Sequence, residues 1–379
     1  MKIKNISLLQ AIAVLIGTII GAGMFGIPYA VKTAGLIPGL VLLLVLTVAI
    51  ILINLIFGEI VLSTEKRHQL TGYAEKYLGK FGKYFMFALV LFSFYGALLA
   101  YTIGEGEVLS TLFGGQAFWW SILFIAVGSI FIFFGLKLIK KIEVWLTAIL
   151  LLIILFICFK GFNFIDLENL KTVSWSLFLV PYGVIFFAMG GLSAIPQMKD
   201  VLLEQKKQLK KAIIWGTTLP FLFYALFVFT TIGVTGAFTT DIATIGLGQV
   251  LGRTVLIAGN VLAFFTMITS FFIMGLGLKT SYQFDFGLKN FSAWLLVISV
   301  PLIAFVLGVN NFNTIIGTVG SIGSGLQGLL ICLMFLRLKK YRDRVPEYEL
   351  PKSRALIIIL SAVFLFGAII AVVPILGKF

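Results

Sequence analysis

Two glycine-rich stretches, each running into a proline, carry the most suggestive chemistry in this 379-residue chain. The first reads Gly17-Thr18-Ile19-Ile20-Gly21-Ala22-Gly23-Met24-Phe25-Gly26-Ile27-Pro28, and the second Phe186-Phe187-Ala188-Met189-Gly190-Gly191-Leu192-Ser193-Ala194-Ile195-Pro196. Both lie within apolar segments. Glycine costs a helix stability and proline removes a backbone donor, so each stretch predicts a helix broken in mid-run. A break exposes N–H and C=O groups that can hold the charged ends of a small solute, or an ion. For one such stretch close helix packing is the plainer explanation. Two at matched positions favour binding.

Other polar residues in apolar segments are few. Thr266, Thr269 and Ser270 stand at i, i+3 and i+4 and share one helix face. Their hydroxyls suit a monovalent cation such as sodium; equally, they can bond back to their own i−4 carbonyls. Three carboxylates, Glu59, Glu105 and Glu107, lie within or at the ends of apolar runs. An ionisable group at such a place is a proton-coupling candidate. Glu59 has a structural alternative, accepting hydrogen bonds from the second broken stretch. Glu105 and Glu107 point in nearly opposite directions on a helix, so at most one faces its interior. His68 sits alone in a charged loop, and Cys158 and Cys332 lie in apolar runs. Nothing here forms a catalytic triad, a metal cluster or a disulfide framework, so an enzyme and a resident cofactor are not expected.

The elements that must position these groups are membrane helices. Sixty per cent of the residues are apolar and 12 % charged, with mean hydropathy +1.11, far from a soluble domain. At about 20 apolar residues per crossing, spans fall at 8–33, 38–63, 84–112, 118–136, 143–160, 174–196, 212–236, 250–281, 291–309, 312–336 and 355–377. The net charge of +14 is not a nucleic-acid footprint, because Lys and Arg sit in short loops between spans. Of these 29 residues only Lys32, Lys160, Lys171, Arg253 and Lys378 fall on one side; the other twenty-four share the opposite side. The positive-inside rule then puts the N-terminus in the cytoplasm. The broken spans are the first and the sixth, so each opens a set of five. That is the signature of an inverted-repeat transporter, with repeats at about 8–160 and 174–336 and an extra helix at 355–377. The expected fold is therefore an all-α polytopic domain over 1–379, integral to the cell membrane. Small residues at Gly96, Ala100 and Gly104, and at Gly317, Ser321 and Gly325, read as close-packing faces.

The 17–28 motif closely resembles the first-helix signature of the amino acid/auxin permease group of the amino acid–polyamine–organocation superfamily. Thr269-Ser270-Phe271 with Gly275-Leu276-Gly277-Leu278, and the 187–196 stretch, are similar to the eighth and sixth helices of the hydroxy/aromatic amino acid permeases. The resemblance covers the whole chain and implies a LeuT-type 5 + 5 inverted repeat with an eleventh helix. It implies that a substrate carboxylate meets backbone groups of Gly21, Ala22, Gly23 and Met24. The amino group would meet carbonyls around Phe187, Ala188 and Met189. Bacterial aromatic permeases often carry a histidine where Gly190 stands here, which leaves aromatic selectivity open. In this fold a sodium site joins Thr266, Thr269 and Ser270 to the carbonyls of Gly17 and Ile20. The expectation is a monomeric symporter importing a neutral, apolar or aromatic amino acid by alternating access, coupled to sodium or, alternatively, to protons. A non-transporting sensor and a channel are the remaining alternatives.

Overall fold

The computed structural model describes residues 2–135, 139–202, 205–351 and 353–376. Lys137, Lys352 and Lys378 of the charge asymmetry, and the expected span ends at 136 and 377, lie outside the described residues.

Helices occupy all eleven apolar stretches. In chain order they are α1 (Lys2–Ile19), α2 (Gly23–Ala34), α3 (Leu36–Leu62), α4 (Leu70–Phe113), α5 (Ala117–Phe134), α6 (Ile139–Phe162), α7 (Tyr182–Ala188) and α8 (Ile195–Leu202). After them come α9 (Leu209–Thr235), α10 (Ala243–Leu251), α11 (Arg253–Phe286), α12 (Asn290–Val306), α13 (Phe312–Thr318), α14 (Gly325–Tyr341) and α15 (Arg354–Leu376). Among the described residues there is no strand, only an isolated bridge between Gly35 and Val173. Closed backbone hydrogen bonding within each helix is what an apolar solvent demands. By length and composition six described helices can cross a membrane, or seven when α1 and α2 count as one bent span. Ala148–Phe162, Asn290–Val306 and Arg354–Ile370 are shorter apolar helices.

Both expected breaks are present. The axes of Ser7–Ile19 and Gly23–Ala34 differ by 58°, and the sixth span divides into α7 and α8 around residues 189–194. Two departures from the sequence reading have local causes. The third span is preceded by an extra amphipathic turn, because Gly79 at φ 78° redirects the chain within α4. The tenth span is interrupted by a π-helical segment, Val319–Ser324, between α13 and α14. That segment packs on α7, where a Cβ on the facing Gly183 would lie 2.0 Å from the Gly317 carbonyl oxygen and 2.3 Å from Ser321 Oγ. The small-residue face is thus a close-packing face, as its spacing predicts.

α1, α2, α7 and α8 pack against α3 and α9, with α13 against α2 and α7, while α4 and α11 pack against each other. Outward apolar side chains such as Val48, Phe134, Phe159, Ile303 and Ile358 are exposed, an arrangement stable against lipid rather than water.

The polar ends are tied together in two separate sets. At one end Lys32 Nζ donates to the carbonyls of Ala237 (3.2 Å) and Thr239 (2.7 Å), and Asn313 Nδ2 donates to Asp241 Oδ1 at 3.1 Å. At the other Arg67 pairs with Asp200 at 3.1 Å, Lys76 pairs with Asp343, and Lys199 Nζ donates to Thr64 O at 2.7 Å. Each contact joins loops that the charge alternation assigns to the same side.

Candidate functional site

At the first break α1 ends with the Ile20 N–H on Ile16 O at 2.7 Å, and α2 begins with Met24 N–H on Gly21 O at 3.3 Å and Phe25 N–H on Ala22 O at 3.1 Å. Between them the N–H groups of Gly21, Ala22 and Gly23 have no backbone acceptor. The carbonyls of Gly17 and Ile20 lose their usual i+4 donors, because Gly21 does not reach back and Met24 turns to Gly21. Pro28 lies inside α2, so the Met24 carbonyl has no i+4 donor either. The carbonyls of Thr18 and Ile19 lose Ala22 and Gly23 in the same way, so three donors and five acceptors in an apolar interior must be satisfied by side chains, water or ligand.

The second break is tighter. Met189 N–H bonds Ile185 O at 2.9 Å, and Gly190 N–H closes a turn on Phe187 O at 3.2 Å. Pro196 stands in the first turn of α8, where a missing donor costs nothing. Of the three carbonyls expected to meet an amino group, those of Phe187 and Ala188 therefore already hold one donor each, with a second lone pair free.

The two breaks touch. A Cβ on Gly23 would lie 2.6 Å from Ala188 Cα, so only glycine allows this approach. A second link was not read from the sequence. The Tyr224 hydroxyl, on α9 and fully buried, lies 2.7 Å from Ile19 O and 3.3 Å from Ala188 O. Its single proton goes to the nearer Ile19 carbonyl with the Ala188 carbonyl in reach, so the hydroxyl bridges both breaks. Its signal was a phenol in mid-span, four residues after Pro220, since a buried tyrosine hydroxyl requires a partner.

α11 reaches the first break through Ser270: a Cβ on Gly21 would lie 3.6 Å from its Oγ. The fully buried Tyr101 of α4 hydrogen-bonds Ser270 from the other side. Thr266 Oγ1 donates to Leu262 O at 2.6 Å and Thr269 Oγ1 to Phe265 O at 2.8 Å. Both threonines thus make the i−4 bonds that were the structural alternative for them, while their lone pairs remain free to accept.

The three carboxylates separate. Glu59 Oε2 accepts from Leu350 N–H at 2.7 Å, a donor from the segment after α14 that the sequence reading did not bring here. Glu105 is fully buried, and neither of its oxygens has a hydrogen-bond partner. Glu107 is half-buried and lies within electrostatic reach of Asp241. One of the pair faces the interior, as their spacing predicts.

Cover is unequal around the breaks. Ala22 and Met24 are fully buried, and α10 packs over this side against α2, α9 and α11. Gly190 and Ser193 are exposed, and Gly17, Gly21 and Thr269 are half-buried.

The chain is similar to known proteins over most of its length. Residues 4–374 match the model of the tryptophan/tyrosine permease family. The chain is 26 % identical over 384 residues to tyrosine-specific transport system 1 of Haemophilus influenzae, covering 94 % of each. It is 23 % identical over 350 residues to glutamine transporter 2 of Aliivibrio fischeri, covering 89 % of this chain and 90 % of the relative. Among solved structures, MhsT in complex with L-phenylalanine superposes with a TM-score of 0.68 at 16 % identity, covering 96 % of this chain and 98 % of that one. The inward-facing conformation of Mhp1 gives 0.62 at 14 % identity, covering 97 % and 88 %. The fold is therefore of the LeuT type. The chain belongs to the tryptophan/tyrosine permease family, whose members are membrane transporters and not enzymes.

Proposed function

From membership of the tryptophan/tyrosine permease family we propose that this protein is a secondary active transporter. It imports a neutral amino acid, apolar or aromatic, in symport with a cation by alternating access. The observation that carries the reading is the meeting of two unwound backbones, Gly23 against Ala188, with Tyr224 bonded to both. The N–H groups of Ala22 and Gly23, with that of Gly21 beside the Tyr224 hydroxyl, take the substrate carboxylate, aided by the positive end of α2. The carbonyls of Phe187, Ala188 and Met189, beside exposed Gly190, take the ammonium. A bound sodium would neutralise charge between the orphan carbonyls of Gly17 and Ile20 and the hydroxyls of Ser270, Thr269 and Thr266. The residues fit such an ion: the carbonyls lack helical donors, and Ser270 already faces the break. The N-terminus lies in the cytoplasm, following the charge asymmetry.

The test is a thermal-shift screen of the twenty amino acids with and without sodium, followed by uptake in proteoliposomes. Ligands that bind the native state raise its apparent stability by mass action. The expected result is one or a few neutral amino acids that stabilise the protein and accumulate down a cation gradient. Stabilisation without uptake would make the protein a sensor instead.

A further inference from the structure

Among the described residues, Glu105 is a carboxyl group that the substrate and sodium contacts leave unused. It is 0 % exposed, and both oxygens lack a hydrogen-bond partner. Its place is specific. Gly104 before it packs on Met267 and Phe312, and Gly106 after it packs on Ser121. One turn back along α4, about 6 Å by helix geometry, Tyr101 bonds Ser270 at the first break.

We propose that Glu105 carries a coupling proton: it is neutral in this conformation, takes its proton from water when the site opens to one side of the membrane, and gives it up when the site opens to the other. This deepens the symport reading above and rests on it. An ionised carboxylate with neither donor nor cation would cost several kcal/mol in such surroundings. The neighbours supply no countercharge. α5, α12, α13 and the 319–324 segment contain no titratable side chain. On α11, Lys279 is spent on the carbonyls of Ile132 and Phe133, Tyr282 bonds Tyr95, and Arg253 and Asp285 stand at the two helix ends. α14 brings Cys332, Arg337, Lys339, Lys340 and Tyr341 only from twenty residues or more beyond Phe312. On α4 itself Tyr101 faces Ser270 and Glu107 faces Asp241. The step balances simply: with the site open to the outside a Glu105 carboxylate takes a proton from water, and with the site open to the inside Glu105 COOH gives that proton to water and becomes a carboxylate again. Enclosing a carboxylate among α5, α11 and α13 is unfavourable, so the closed state selects the protonated form and ties proton capture to the transport cycle.

The experiment uses the full-length protein in proteoliposomes with radiolabelled L-tyrosine, and L-glutamine as a second probe. With sodium absent, a one-unit acid-outside pH difference should drive up to about tenfold accumulation for one proton per substrate. Glu105→Gln mimics the neutral form; it should abolish that accumulation and flatten the pH profile while retaining counterflow exchange within about twofold. Accumulation by E105Q equal to wild type overturns the proposal. So does wild-type uptake driven by sodium alone, an outcome that leaves transport itself standing. Absence of both uptake and exchange overturns the transporter reading together with the proposal. Should E105Q fail to fold, the wild-type protein decides. Addition of L-tyrosine in weak buffer must then shift a pH-indicator dye by about one proton per protein, and no shift refutes the assignment.

Discussion

Replacing Tyr224 by phenylalanine isolates one atom at the junction of the two broken helices. The hydroxyl donates to Ile19 O at 2.7 Å and approaches Ala188 O at 3.3 Å. Tyr224 itself is 0 % exposed, and Ile19 and Ala188 are 2 % and 3 % exposed. Water therefore cannot replace the lost donor without entering the core, and a buried acceptor left unsatisfied costs about 1–3 kcal/mol. With an unfolding entropy of roughly 2.1 cal/mol/K per residue, a chain of this length changes by about 0.8 kcal/mol per degree. Tyr224→Phe is then expected to lower Tm by about 1–4 °C. The functional effect should be larger than the stability effect, because the bond ties α1 to α7 directly at the substrate's backbone contacts. If the link exists in one conformation only, about 2 kcal/mol shifts the conformational equilibrium roughly thirtyfold. Uptake of L-tyrosine would then show a changed KM with correctly folded protein, as judged by size-exclusion chromatography. A Y224F protein with unchanged Tm and unchanged transport would refute the reasoning, since it would mean that neither carbonyl needs this donor.

The glycines make a paired prediction. Gly23→Ala should abolish transport and lower stability by about 1–3 kcal/mol, because its Cβ meets the Ala188 backbone at 2.6 Å, whereas the Cβ of Gly21→Ala meets Ser270 Oγ at 3.6 Å and Ile19 O at 3.9 Å, both ordinary contacts, and this variant should fold normally; thermal melts of the two variants decide this. Thr269→Ala with Ser270→Ala should erase any sodium-dependent thermal shift while lowering the sodium-free Tm by no more than about 1–4 °C, the cost of leaving buried Tyr101 without its partner, and a surviving shift would place the ion elsewhere. The loop after α14 predicts a pH effect. Hydrogen bonds from Lys76 and from the Glu65 N–H hold the Asp343 carboxyl below the usual carboxylate range. A depressed folded pKa contributes stability above the unfolded value near about 3.9 and loses it as pH falls through the folded one. Asp343→Asn should therefore speed amide exchange at residues 343 and 344, both bonded to Ser63 O, by at most about fivefold at pH 7, since the exposed pair is worth under about 1 kcal/mol. The difference should vanish well below pH 4.

The amino-acid sequence by itself determined the solvent, the helical class and the places where two helices must break. Each follows from local chemistry: runs of apolar side chains require lipid, and Gly clusters ahead of Pro28 and Pro196 cannot continue a helix. The spacing of Glu105 and Glu107 likewise determined that only one would face inward. What the tertiary structure decided depends on contacts between residues far apart in the chain. Gly23 meets Ala188, and Tyr224 reaches both Ile19 and Ala188, across separations that no periodicity encodes. Glu59 finds a donor in Leu350, 291 residues away. The hydroxyl face at Thr266, Thr269 and Ser270 was legible as a face. Only packing divided it, leaving two threonines on their own helix and turning Ser270 toward Tyr101 and the break. Rotamers and close approaches are settled by what the neighbouring helix presents. Glu105 is the sharpest case: its type and position are local, but the absence of any partner for it exists only once α5, α11 and α13 have closed around it.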